Sequence, residues 1–180
     1  MTYMQNIIKI SVSLLIILFI SSCNSETTSD SNTDEEIVTI DSSKITAKDI
    51  AKLRYTDYAL SNLTRSKTVN WQKFNELTEK IEVLKTGDLS FFRDDKAILV
   101  GFLNDLKSEV PESLKTSAIL VRLTVIETAF LKLEGLASLS SAKKEDLLII
   151  IKDVLLTYTN LVFQMNKKFE KESQNIEKPY

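Results

Sequence analysis

Punctuation is what this sequence lacks: three glycines and two prolines in 180 residues. Chain reversals need residues that tolerate positive φ or fix a turn, so a chain this poor in them is built from a few long elements. The apolar spacing says which kind. Trp71, Phe74, Leu77, Ile81 and Leu84 recur at steps of three and four, the period of a helix with one buried face. No comparable run alternates with period two. The expected fold is all-α, an up-and-down bundle of four or five helices, preceded by a cleaved signal peptide and a disordered tether.

The helices are expected as follows. Thr46-x-x-Asp49 has the spacing of a capping box and opens a first helix to about Arg65, with Ile50, Leu53, Leu60 and Leu63 inward and Arg54 paired to Asp57 across one turn. Asn70 caps a second that stops at about Lys85, before Gly87. Ser90 caps a third, which has Ile98, Leu99, Phe102 and Leu106 inward and ends before Pro111. That proline sits in the first turn of a fourth. Its body, Ser117 to Leu136, is apolar on most sides, the pattern of a helix surrounded by others. A turn to Ser141, a loose cap with Glu145, leads to a fifth helix with the long stripe Leu148, Ile151, Leu155, Tyr158, Val162, Met165 and Phe169.

Ahead of the bundle the character changes. Lys9 and the apolar core Ile10 to Ile20 have the build of a signal peptide, and the uninterrupted run is shorter than the ~20 residues that span a bilayer. It ends in Ile20-Ser21-Ser22-Cys23, and Cys23 is the chain's one cysteine. This tetrad resembles the lipobox of bacterial lipoproteins, over residues 1 to 23 and nothing downstream. The resemblance implies cleavage before Cys23, acylation of its thiol and freed amine, and an anchor held by two or more acyl chains, where one alone is marginal. It departs from the commonest family pattern at Ile20, usually leucine, and at Ser22, usually glycine or alanine. Asn24 stands where an aspartate would favour inner-membrane retention, so the resemblance implies the outer membrane of a cell envelope.

The expected organisation is therefore a signal peptide (1–22), the lipidated Cys23 with an acidic tether (23–44), and a helical domain (45–180). The tether holds Glu26, Asp30, Asp34, Glu35, Glu36 and Asp41 against Lys44 alone. For 21 residues its reach is roughly 25 Å as a coil and about 70 Å stretched. Beyond it the domain carries 21 basic and 19 acidic residues, without the strongly basic balance of a nucleic-acid footprint, so no nucleic acid is expected.

Histidine is absent, which removes the commonest general base and metal ligand. With Cys23 consumed, thiol and Ser-His chemistry are closed as well, and Gly87, Gly101 and Gly135 stand alone rather than in a phosphate loop. No cofactor, metal or catalytic residue is expected. The leading expectation is a non-enzymatic lipoprotein whose bundle meets an envelope protein partner. A ligand- or cation-binding sensor is the alternative, with a polar pocket drawn from Arg54, Asp57, Arg122 and Glu127. A carboxylate hydrolase is a third. The Glu127 and Glu134 pair shares one helix face, where structural ion pairs are the plainer reading. Tyr55 and Tyr58 are candidates for a groove rim, and Tyr158 to Asn166 for a polar seam.

Overall fold

A computed structural model describes residues 44–174; the signal segment, Ile20, Ser21, Ser22, Cys23 and the tether as far as residue 43 lie outside them. Within the described residues the chain is helical with no strand. The helices are α1 (Ala47–Ile50), α2 (Asn62–Thr68), α3 (Gln72–Lys85), α4 (Ser90–Arg93), α5 (Lys96–Ser108), α6 (Ser117–Ala137) and α7 (Lys144–Ser173), with a 3-10 turn at Glu112–Leu114. Four exceed ten residues. The all-α reading stands, with short helices filling the joints between long ones.

α7 is the spine. At 30 residues it runs about 45 Å; of its expected stripe, Ile151, Leu155, Tyr158, Val162, Met165 and Phe169 are buried, while Leu148 is half-buried and Leu147 takes the inward place. It packs against α1, α2, α3 and α6, while α6 also receives α4 and α5. Aromatic rings bridge these layers: Phe92 of α4 meets Phe130 of α6 edge to face at 5.2 Å, and Phe74 of α3 lies 6.3 Å from Tyr158 of α7. Two ion pairs order α5 against α6. Lys96, at the start of α5, reaches Glu134 near the end of α6 at 3.0 Å, and Lys107, near the end of α5, reaches Glu127 at 2.8 Å. The two helices therefore run antiparallel.

Several boundaries differ from the sequence expectation. The capping box at Thr46 is present with both of its bonds, yet its helix ends after one turn, and 54–60 is non-helical chain rather than helix. Tyr55, Thr56, Asp57 and Tyr58 are weak helix formers, and the fold offers their backbone partners elsewhere, as described below. The Arg54–Asp57 pairing is lost with the helix; Asp57 instead accepts from Lys85 of α3 at 2.7 Å. Leu63 faces outward, and Leu53 and Leu60 are half-buried. Trp71, not Asn70, precedes α3, because its indole is wanted in the core against Phe74. The expected third helix is two, α4 and α5, broken where Asp95 caps α5 through Ala97 N–H at 2.8 Å. Ile98 consequently turns to solvent, 53% exposed. Pro111 precedes the 3-10 turn and Thr116 caps α6; Lys143 rather than Ser141 precedes α7.

The junction where the described chain begins is tied by one carboxylate. Asp49 Oδ2 accepts from the Thr46 hydroxyl at 2.7 Å, the Thr46 N–H at 3.0 Å and the Lys144 ammonium at 2.8 Å. Lys144 first, then Thr46, pulls the Asp49 pKa from 3.8 to about 2. A depressed carboxylate stabilises the fold above its unfolded value and loses that contribution as pH falls through its folded value. The thermal midpoint of the native chain should thus exceed that of Asp49→Asn above pH 4, and the gap should close between pH 4 and pH 2; a gap constant across that window contradicts the pairing.

Gly87 ends the α3 turn at φ +90, and a Cβ there would lie 2.7 Å from the Ile45 carbonyl oxygen. Both the left-handed backbone and the close approach exclude a side chain. Gly87→Ala should cost more than about 1 kcal/mol in denaturant unfolding, whereas Gly101→Ala, in open space within α5, should be neutral or stabilising.

Candidate functional site

Between α1 and α2 the chain crosses α7 as a strap, 54–61. Non-helical backbone leaves its N–H and C=O groups without intrahelical partners, and two side chains of α7 supply partners for four of them. Thr159 Oγ1 accepts from the Tyr58 N–H at 2.8 Å and donates to the Thr56 carbonyl at 2.7 Å. One helical repeat on, Asn166 accepts from the Ser61 N–H at 2.9 Å through Oδ1 and donates to the Ala59 carbonyl at 2.8 Å through Nδ2. Residues seven apart share a helix face, so the two clamps form one polar line along the apolar spine. The polar seam expected at Tyr158 to Asn166 holds this strap.

The strap walls a groove of about 500 Å³ against α3, with Tyr58, Phe74 and Tyr158 as aromatic lining and Asp57, Glu79, Glu82, Arg65 and Lys85 among its charges. The Tyr58 ring lies tilted against Phe163, centroids 4.8 Å apart. Tyr158 exchanges a hydrogen bond with Thr78 at 3.0 Å, and burial raises its phenol pKa despite that bond. Burial would depress Lys85, but its hydrogen bonds to Asp57 and Glu82 prevail and hold its pKa above the ordinary lysine range. A second hollow of about 600 Å³ lies where Lys44 and Ile45 meet Gly87, Asp88 and Arg93.

The four residues expected to converge on a polar pocket are dispersed. Asp57 lines the strap groove, whereas Arg54, Arg122 and Glu127 line none of the hollows described. Arg122 donates back to the Ala118 carbonyl of its own helix at 2.8 Å, and Glu127 is committed to Lys107. Glu134, mostly buried, is likewise paired, to Lys96. These carboxylates brace α5 on α6. Among the described residues no group of three or more acidic side chains is placed to hold a metal ion.

What the sequence did not signal is the outer face of α6. Val121 is 60% exposed, Val125 47% and Leu120 42%. A helix apolar on most sides is read as enclosed, but here only the half facing α4, α5 and α7 is covered. Thr124 and Thr128 lie between these residues on the same exposed face, and Lys132 is the one charge among its exposed positions. Two exposed valines one turn apart were the available clue.

Comparison with known proteins finds no match: no family model, no curated protein and no solved structure corresponds to the chain. The class is defined by its own geometry, an all-α bundle with a side-chain-clamped strap and one helix face that carries a single charge, Lys132.

Thr159 is 2% exposed and serves both strap groups at once. Thr159→Val keeps the shape and removes both bonds, so it should lower stability by about 1–3 kcal/mol and speed proteolytic cleavage within 54–61 while far-ultraviolet circular dichroism is retained. Unchanged stability and cleavage would show the clamp to be incidental.

Proposed function

We propose that the chain is a lipid-anchored protein of a bacterial envelope, held through Cys23 in the outer membrane, whose helical bundle works by protein contact rather than by catalysis. The observation carrying this reading is the α6 outer face, where Leu120, Val121 and Val125 stand exposed together on one helix. Contiguous exposed apolar side chains mark interaction surfaces more often than isolated ones do. The lipobox-like Ile20-Ser21-Ser22-Cys23 supplies the anchor and the acidic tether its reach. Among the described residues no helix is long and apolar enough to cross a membrane, which accords with attachment through the N-terminal segment. The chain's lack of histidine and the pairing of Glu127 and Glu134 support a role without chemistry.

The alternative, a ligand-binding bundle, draws on the strap groove with its Tyr58, Phe74 and Tyr158 lining. Of the polar residues expected to define its pocket, Asp57 alone is there.

Two measurements test the proposal. Metabolic labelling with radioactive palmitate should mark the native chain and vanish in Cys23→Ala, which should also leave the membrane fraction; label surviving in the variant overturns the anchor. A photoreactive amino acid placed at Val125 should capture protein in intact envelopes far more than one placed at Val83 of α3. Equal or absent capture at both positions overturns the contact role.

A further inference from the structure

The side chains lining the strap groove are one-sided in their hydrogen bonding. Thr78 gives its one proton to the Phe74 carbonyl at 3.0 Å, so in its contact with Tyr158 it is the phenol that donates. Tyr158 is 7% exposed and lines the groove, and its oxygen keeps lone pairs that no donor among the described residues serves. Asn75 commits its amide nitrogen to the Val69 carbonyl at 3.1 Å, which leaves its carbonyl oxygen free. Lys85 holds one oxygen of Asp57 at 2.7 Å and one of Glu82 at 2.8 Å, and the second oxygen of each has no partner among the described residues. Glu79 has none there either. The side-chain donor left without a partner is Arg65, exposed at the α2 margin. Such a lining offers acceptors and is matched by a ligand rich in N–H groups.

Charge points the same way. In the Asp57, Glu82 and Lys85 cluster two carboxylates face one ammonium, which leaves one negative charge, and Glu79 adds a second. Asn75, Glu79 and Glu82 recur at steps of four and three, so they share the α3 face turned to the strap. An inorganic ion does not fit. Lys85 already stands between Asp57 and Glu82, and among the described residues no three acidic side chains are placed to hold a metal. An organic cation does fit, because the exposed Tyr58 ring offers a face to methylenes and to an ammonium alike. At about 500 Å³ the groove has the size of a small-molecule site.

We infer that the strap groove binds a small aliphatic diamine. One ammonium meets the free oxygens of Asp57 and Glu82 and the Tyr158 phenol oxygen, the other meets Glu79, and the chain lies against Tyr58. Thr159 and Asn166 fix the strap, so Asp57 and Tyr58 are in place before a ligand arrives. Arg65, a cation at the margin, opposes binding. The site is apart from the α6 face and does not rest on the contact role.

Isothermal titration calorimetry of the full chain in detergent tests this, with cadaverine, a five-carbon diamine, as probe at neutral pH, where both of its amines are charged. Cadaverine should bind, and pentanediol, neutral and of the same length, should not. Glu79→Gln, at an exposed position, should weaken binding by about tenfold. Tyr158→Phe should weaken it with the ring retained, and Arg65→Gln should tighten it. Glu112→Gln, on the 3-10 turn outside the groove, should change nothing. No binding of cadaverine by the native chain overturns the site, and equal binding of pentanediol overturns the recognition of charge. Equal losses in Glu79→Gln and Glu112→Gln show general attraction to an acidic chain and overturn the groove as its place. Should Tyr158→Phe fail to fold, Glu79→Gln and Arg65→Gln decide: affinity unchanged in both overturns the inference, whatever is captured at Val125.

Discussion

Burial of the α7 stripe is the interaction on which the other elements depend. With one cysteine in the chain, no intrachain disulfide can constrain it, and cohesion must come from apolar area and its packing. Ile151, Val154, Leu161 and Met165 are wholly enclosed, because α1, α3 and α6 lay apolar residues on the same helix and α2 packs there with its buried Thr64 and Thr68. None of α1, α2 or α4 exceeds seven residues, a length at which an isolated helix is unstable in water. They exist because α6 and α7 give them a surface. Charge adds direction to this adhesion: the partly buried Lys96–Glu134 and Lys107–Glu127 pairs accord with α5 lying antiparallel along α6.

A long apolar helix has a cost where non-helical chain must cross it, since unpaired backbone groups pressed against hydrocarbon are expensive. Thr159 and Asn166 resolve this. Each places one donor and one acceptor in the line of the spine, so four backbone groups of the strap are satisfied without a neighbouring strand. The Asp57–Lys85 pair fastens the same strap to α3. Its course is thus set by residues far away in the chain, with the local sequence merely declining to be helical.

This explains which parts of the fold were legible. The stripes of α3, α5 and α7 could be read because a buried helix face is a local, periodic property, and the Thr46 box because capping spans four residues. The strap could not, because its determinants lie about a hundred residues apart; the visible trace was the poor helix propensity of Tyr55 to Tyr58, outvoted by the apolar spacing around it. The break at Asp95 was hidden likewise, since an aspartate near a helix start reads equally as dipole charge and as cap. Of the candidate site residues, Arg54, Asp57, Arg122 and Glu127 were grouped by type and position on expected helices. Two of those positions moved when the first helix became strap, and the other two were already committed within α6 and to α5.

The face of α6 shows how far composition alone can mislead. Twenty-one residues with apolar side chains on nearly every side satisfy the description of a central helix, yet a bundle whose other long helices have 13, 14 and 30 residues has too few elements to surround it. Something must stay uncovered, and what stays uncovered is the side whose threonines have turned inward on their own carbonyls. A face meant for permanent solvent would more naturally carry lysines and glutamates, as α7 does with Lys167, Glu170, Lys171 and Glu172 toward its end. The contrast between those two helices, one ending in charge and one kept almost free of it, separates a surface that repels association from one that is suited to it.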